Sequence, residues 1–325
     1  MALPKDGETP RYYVPARSSM AIFSATALAM IALGAASGMN AMHSADASGS
    51  DWLLLYAGLI ALAIVLACWF SLTIKENIKG MNSEQLKISY RIGMQWFIFS
   101  EVMFFAAFFG VLFYVRTLAG PWLSGEGAGV MNTLLWPGFD YSWPLMDTPQ
   151  DAIGGVKEQA KAGFLANNGE HTGPQKNLSW PGLDNLFHWL PFWNTTLLVL
   201  SSIWLEFAHH ALKKNKRTAF NFWLGLTLLF GFVFVYLQYL EYHEAYVDYG
   251  LYLNSGIYGA TFFMLTGFHG FHVIMGAGIL TVQFFRSVMK KHFTKEDHFG
   301  FEAASWYWHF VDVVWIFLVA VVYVY

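Results

Sequence analysis

Apolar residues along this chain gather into seven continuous runs, at residues 20–38, 52–74, 92–115, 192–212, 220–240, 256–285 and 304–325. A helix that crosses a bilayer needs about 20 predominantly apolar residues, and each run meets that length. The sixth is long enough to tilt or to project beyond the membrane. Continuous runs, rather than ten-residue alternations, speak against a membrane barrel. The pattern therefore predicts an all-α integral membrane protein with seven transmembrane helices. The first run has a basic leader and ends at Ala35-Ala36-Ser37, as a cleaved signal would. It is read as a retained helix.

The polar residues between the runs give a direction. Lys5, Arg11 and Arg17 precede helix 1; Lys75, Lys79, Lys87 and Arg91 separate helices 2 and 3. Lys213, Lys214, Lys216 and Arg217 separate helices 4 and 5; Arg286, Lys290, Lys291 and Lys295 separate helices 6 and 7. The alternate connections, 39–51 and 241–255, hold no lysine or arginine. By the positive-inside rule the N-terminus is cytoplasmic and the C-terminus periplasmic, which requires an odd number of spans. The expected organisation is a cytoplasmic segment at 1–19, a two-helix bundle at 20–74 and a cytoplasmic loop at 75–91. A five-helix bundle at 92–325 follows, interrupted by a long periplasmic loop at about 119–191.

Composition agrees with this class and narrows the chemistry. Only 13% of the residues are charged and 56% are hydrophobic, whereas soluble domains carry about 25% charged residues. A net charge of −3 leaves no electrostatic footprint for nucleic acid. The single cysteine, Cys68, excludes an internal disulfide and covalent haem attachment, and reads as an apolar packing residue. The loop at 119–191 is rich in Gly, Pro, Trp and acidic residues. It is either a cap on the outer face, with a short amphipathic helix at 150–165, or an insertion without chemistry.

Ionisable groups at bilayer depth cost about 2.5–3.5 kcal/mol each on insertion scales, so each calls for an explanation. Glu101 shares a helical face with Phe97, Phe104, Phe105 and Phe108, surroundings that disfavour a bare carboxylate. Two readings fit: a proton-exchanging or reactive carboxyl, or an acid hydrogen-bonded to a neighbouring helix for packing. Helix 7 carries Glu302, Ser305, His309 and Asp312, a single polar stripe in which His309 and Asp312 are an i,i+3 pair. Helix 6 places His269 and His272 near mid-membrane, helix 4 adds Glu206, His209 and His210, and helix 5 ends in Glu241, His243 and Glu244. Bis-histidine haem ligation needs one histidine from each of two helices at matching depth. These histidines are instead read as packing, anchoring or headgroup contacts, and no metal site is expected. Gly259, Gly267, Gly270, Gly276 and Gly278 would let another backbone approach helix 6 closely. Arg91, Lys213 and Arg286 can snorkel toward lipid phosphates.

Four segments carry a family likeness. They are residues 299–315, which run FGFEAASWYWHFVDVVW; Gly259-Ala260-Thr261-Phe262-Phe263 with residues 266–273; Ser100-Glu101-Val102-Met103-Phe104-Phe105; and Glu241-Tyr242-His243-Glu244-Ala245. Together they resemble subunit III of the haem–copper oxidases. The likeness runs from about helix 2 to the C-terminus, is weakest in helix 1 and lapses over about 120–185. It implies a subunit without redox centres, the haems and copper being held by partner subunits. It implies helices 1–2 parted from helices 3–7 by a V-shaped cleft filled with phospholipid. It also implies support for the neighbour's stability, proton uptake and oxygen access. Glu101 matches the family's carbodiimide-reactive carboxylate, and Arg91, Glu76 and Arg286 match positions associated with lipid headgroups. The partners implied are subunit I, subunit II, a small subunit IV and membrane phospholipids, with cytochrome c as electron donor to the whole complex.

The resulting expectation is a non-catalytic subunit of a proton-pumping cytochrome c oxidase in a bacterial inner membrane. A related quinol oxidase is the nearest rival. An independent membrane cytochrome using the histidines, and a proton channel built on Glu101 and the helix 7 stripe, are rivals from other classes.

Overall fold

Backbone amides and carbonyls in lipid have no water to bond, so a chain of long apolar runs coils each run into a helix. The computed structural model follows that rule. It describes residues 18–41, 49–81, 83–127, 131–146, 149, 176–253, 255–290, 292–295 and 298–324. Among these residues seven long helices form: α1 (Met20–Ala41), α2 (Leu53–Ile78), α3 (Glu84–Tyr114), α4 (Leu190–Lys213), α5 (Arg217–Val247), α6 (Gly256–Lys290) and α7 (Phe299–Leu318). No strand occurs among the described residues. Single π-helical turns at Val115–Ala119 and Val319–Val324 prolong α3 and α7.

Among the described residues six helical spans are long and apolar enough to cross a membrane, not the seven expected. The exception is α4, where Asn194, Glu206, His209 and His210 dilute an otherwise apolar run. The helices also outrun the hydropathy that forecast them. α3 begins at Glu84 rather than 92, because Ser83 Oγ accepts a hydrogen bond from the Leu86 amide at 3.2 Å and caps a polar first turn. Hydropathy marks the part of a helix that suits lipid, while hydrogen bonding continues into the polar layers at either end. The helix proposed at 150–165, the leader lysine and arginines, and Lys291 lie outside the described residues.

The chain divides into two compact units, Met1–Ile92 and Gly93–Tyr325. In the first, α1 and α2 pack through glycines. A Cβ on Gly34 would stand 2.2 Å from the Leu55 amide nitrogen, and one on Gly58 would stand 2.8 Å from the Ile31 nitrogen. Only hydrogen at these positions lets the backbones come so near, the usual device of helix association in lipid. The helix 6 glycines divide: a Cβ on Gly259 would stand 2.3 Å from the Tyr252 carbonyl oxygen, the close backbone approach expected, while the others do less. Gly270 and Gly278 face open space, and Gly276 admits a side chain, Trp308, rather than a backbone.

In the second unit the core lies along α4–α7. Trp308 is fully buried in a slot between Gly231 of α5 and Gly276 of α6, and its Nε1 donates to Ser201 Oγ of α4 at 2.9 Å. Trp315 donates likewise to Thr195 Oγ1 at 3.0 Å. Each indole thus combines apolar burial with a satisfied polar handle. Between α4 and α5 the chain turns on Asn215, at φ +57°, one of the few residue types that tolerates this left-handed geometry. The described flanks of the long loop pack on the opposite end of the unit. Tyr141 donates to the Arg116 carbonyl at 2.8 Å, and Trp143 meets the buried Tyr258 ring at 5.5 Å. The Trp180 amide donates to the Tyr323 carbonyl at 2.8 Å. Beside them Tyr249, just beyond α5, donates to Glu244 at 2.7 Å, and burial with the Glu244 bond pushes its phenol up to about 12.

Candidate functional site

Glu101 on α3 and His272 on α6, singled out separately in the sequence, meet in the structure. Glu101 Oε2 lies 2.9 Å from His272 Nε2, with 22% of the carboxyl side chain and 6% of the imidazole exposed. His272 Nδ1 lies 2.6 Å from the Phe268 carbonyl one turn earlier. A carbonyl can only accept, so Nδ1 carries a hydrogen. Nε2 is then either a bare acceptor facing a protonated Glu101 or the second N–H of an imidazolium facing a carboxylate. In both arrangements one proton lies between the two side chains and the pair has no net charge. Such a pair avoids the cost of an isolated ion at bilayer depth.

Aromatic rings wall this pair. Phe105 packs on the imidazole at 5.2 Å, Phe104 at 6.3 Å and Phe310 at 6.4 Å. Tyr307 of α7 stacks over His272 at 6.3 Å and over Phe97 at 5.9 Å. Its hydroxyl is buried without a hydrogen-bond partner among the described residues. Sequence reasoning named the phenylalanines but gave Tyr307 no role, since nothing local ties residue 307 to residue 101.

His269, one turn away, faces elsewhere. It is fully buried, its Nε2 donates to the Val311 carbonyl at 3.1 Å, and it stacks on Trp315 at 4.9 Å. That is a packing role on the α6–α7 seam. Among the described residues no group of three or more His, Cys, Asp or Glu side chains is arranged to hold a metal ion.

The helix 7 stripe divides in two. Ser305 and Asp312 are buried, Asp312 beside Ser202 of α4, whereas Glu302 and His309 are partly open. His309 does not bond Asp312; its Nε2 lies 3.9 Å from Glu206 Oε2 of α4 instead. At about 100° per residue, 302 and 309 fall within about 20° of each other, while 305 and 312 sit about 60° further round. A spacing of three, four and three marks a helical side, and that side spans both the interior and the rim.

Of the headgroup candidates, Glu76 and Arg91 belong to the first unit and Arg286 to the second. Arg286 donates to Gln283 Oε1 at 2.9 Å and lies over the Phe293 ring at 4.6 Å. It is part of a structured helix end rather than a loose surface cation. A second buried acid is Glu241 of α5, which the sequence marked only as part of the helix 5 ending and not as a buried hydrogen-bonded centre. It is fully buried, accepts from the Tyr323 hydroxyl at 2.5 Å, and is approached by Asn194 Nδ2 at 3.4 Å. The signal was the acid itself in an aromatic run; its partners lie 82 and 47 residues away and leave no local trace.

Comparison with known proteins gives one consistent answer. A family model described as cytochrome c oxidase subunit III matches residues 11–126 and 179–325. The match thus includes helix 1, where the likeness was weakest by eye, and skips much of the long loop. A protein named cytochrome c oxidase subunit 3 from Coturnix japonica is 34% identical over 266 residues, covering 82% of this chain and 81% of the relative. The Homo sapiens protein of that name is 34% identical over 271 residues, 83% of each chain. That of Prototheca wickerhamii is 35% identical over 295 residues, 90% of this chain and 89% of the relative.

Proposed function

The chain belongs to the cytochrome c oxidase subunit III family, and from that premise we propose that it is the non-redox third subunit of a proton-pumping terminal oxidase. In this reading the haems and copper sit in partner subunits, and electrons pass from cytochrome c to oxygen outside this chain. The chain sustains its catalytic neighbour: it steadies subunit I, supports proton uptake and keeps an oxygen route open through lipid. Subunit II and a small subunit IV complete its protein surroundings. Phospholipid headgroups gather at Arg91, Glu76 and Arg286. The lipid-filled cleft, the seventh span and the cytoplasmic N-terminus are parts of the same proposal, carried by the family resemblance and by the basic loops. The long insertion that the family model skips supports a bacterial inner membrane.

The observation that carries the reading is the family match across almost all of the chain outside the loop. The Glu101–His272 pair supports it at the level of side chains. A net-neutral, one-proton link between α3 and α6 suits an interhelical clamp, and it leaves the reactive-carboxyl reading of Glu101 compatible with a protonated acid. Purification in mild detergent, with partner identification and an absorption spectrum, tests the proposal. The intact preparation should contain haem-bearing subunits, and the chain stripped of them should show no haem band. A haem band or bound metal in the stripped chain would mean an independent cytochrome instead.

A further inference from the structure

α4 and α7 lie side by side, joined by the Trp308–Ser201 and Trp315–Thr195 hydrogen bonds. The outside of that pair is polar at a level where an apolar surface is expected. Glu206 of α4 is 49% exposed; its Oε2 lies 3.9 Å from His309 Nε2 and its Oε1 lies 3.3 Å from His210 Nδ1. His309 is 37% exposed and His210 61%. These are not loop residues. Glu206 stands seven residues before the end of α4 at Lys213, and His309 ten residues after the start of α7 at Phe299. At about 1.5 Å per residue they sit about 10 and 15 Å in from the basic end of the bundle. Exposed Ile203, Phe207 and Val313 surround them.

Of the other ionisable groups at such depths, Glu241, His269, His272 and Asp312 are buried, and Glu101, 22% exposed, is paired with the buried His272. Glu206 and His309 are the exception, facing out of the bundle within an apolar field. Acyl chains offer a carboxylate no hydrogen bond. A phosphate headgroup drawn down to this level would be repelled by Glu206. What fits is a donor carried at fixed depth, and a helix of protein supplies that.

We propose that this seam seats a transmembrane helix of another oxidase subunit, one that presents a basic or hydroxyl-bearing side chain to Glu206 at the level of His309. The proposal rests on the reading of the chain as an oxidase subunit and adds to it which face docks and by what chemistry.

The test uses the full complex in its native membrane. Benzoylphenylalanine is introduced at Ile203 or at Val313, the membrane is irradiated, and adducts are identified by mass. The expected result is an adduct with another oxidase subunit from both positions. Its yield should fall at least five-fold with Glu206→Lys and with Glu206→Ala, and persist with Glu206→Gln, which keeps an acceptor oxygen. Adducts with lipid alone, or subunit adducts indifferent to Glu206→Lys and Glu206→Ala, would overturn the seam. A chain that purifies with no haem-bearing partner overturns the oxidase reading instead. One that co-purifies with that partner yet labels only lipid overturns the seam and leaves the reading standing.

Discussion

The Glu101–His272 contact fixes a proton count rather than a charge. Because the Phe268 carbonyl holds a hydrogen on Nδ1, the second nitrogen and the carboxyl share one proton whichever keeps it. Glu101→Gln preserves a donor toward Nε2, so the purified complex should melt within about 1 kcal/mol of the wild type in thermal unfolding. Glu101→Ala leaves a buried imidazole nitrogen unpaired and should cost about 1–3 kcal/mol in the same measurement. Haem spectra of both assembled variants should be unchanged; loss of the haem signal would show that Glu101 reaches the redox centres. Both residues were legible as unusual in the sequence, but their pairing was not. Apolar edges at 92 and 285 put them about 14 and 20 Å deep, whereas the actual helix ends, Glu84 and Lys290, put them about 26 and 27 Å from the same side. The pair became visible only once the polar turns beyond each apolar run were counted.

Helices were the most legible level, because length and hydropathy mark them directly. How they touch was not legible, because glycine is silent in a hydropathy profile and its effect depends on what stands opposite. Gly34 and Gly270 make the contrast. A methyl group on Gly34 meets the α2 backbone at 2.2 Å, so Gly34→Ala should destabilise the α1–α2 unit, by about 1–3 kcal/mol. Gly270→Ala meets nothing within 4 Å and should stay within about 1 kcal/mol of the parent. Thermal unfolding of the two variants side by side checks both values. Trp308→Phe removes the donor to Ser201 and opens a void between Gly231 and Gly276. It should cost about 2–3 kcal/mol, read in the same way. The helix 7 stripe teaches a similar lesson: its period was correct, but a period gives a side, and only the neighbouring α4 decides which part of that side is covered.

For the molecule as a whole, family membership was readable from the last two helices alone, where aromatic, glycine and histidine positions recur in a specific order. The long loop carried no such signal, and its described flanks are held by contacts, such as Trp143 on Tyr258, that join residues over a hundred positions apart. If redox chemistry lies on partner subunits, a chelator applied to the isolated chain should leave its helical circular dichroism and melting temperature unchanged. A chelator-induced loss of structure would reveal a structural metal and contradict that division of labour.

Tyr323 ties several distant pieces together. Its ring seats against Trp189, Phe262 and Trp315, its hydroxyl serves Glu241, and its carbonyl receives the Trp180 amide. A frameshift or premature stop that spared every earlier residue but removed this one would withdraw a buried acid's partner and a loop's tether at a stroke. Lesions at Tyr323 should therefore behave as severe alleles, read as loss of assembled complex in the membrane.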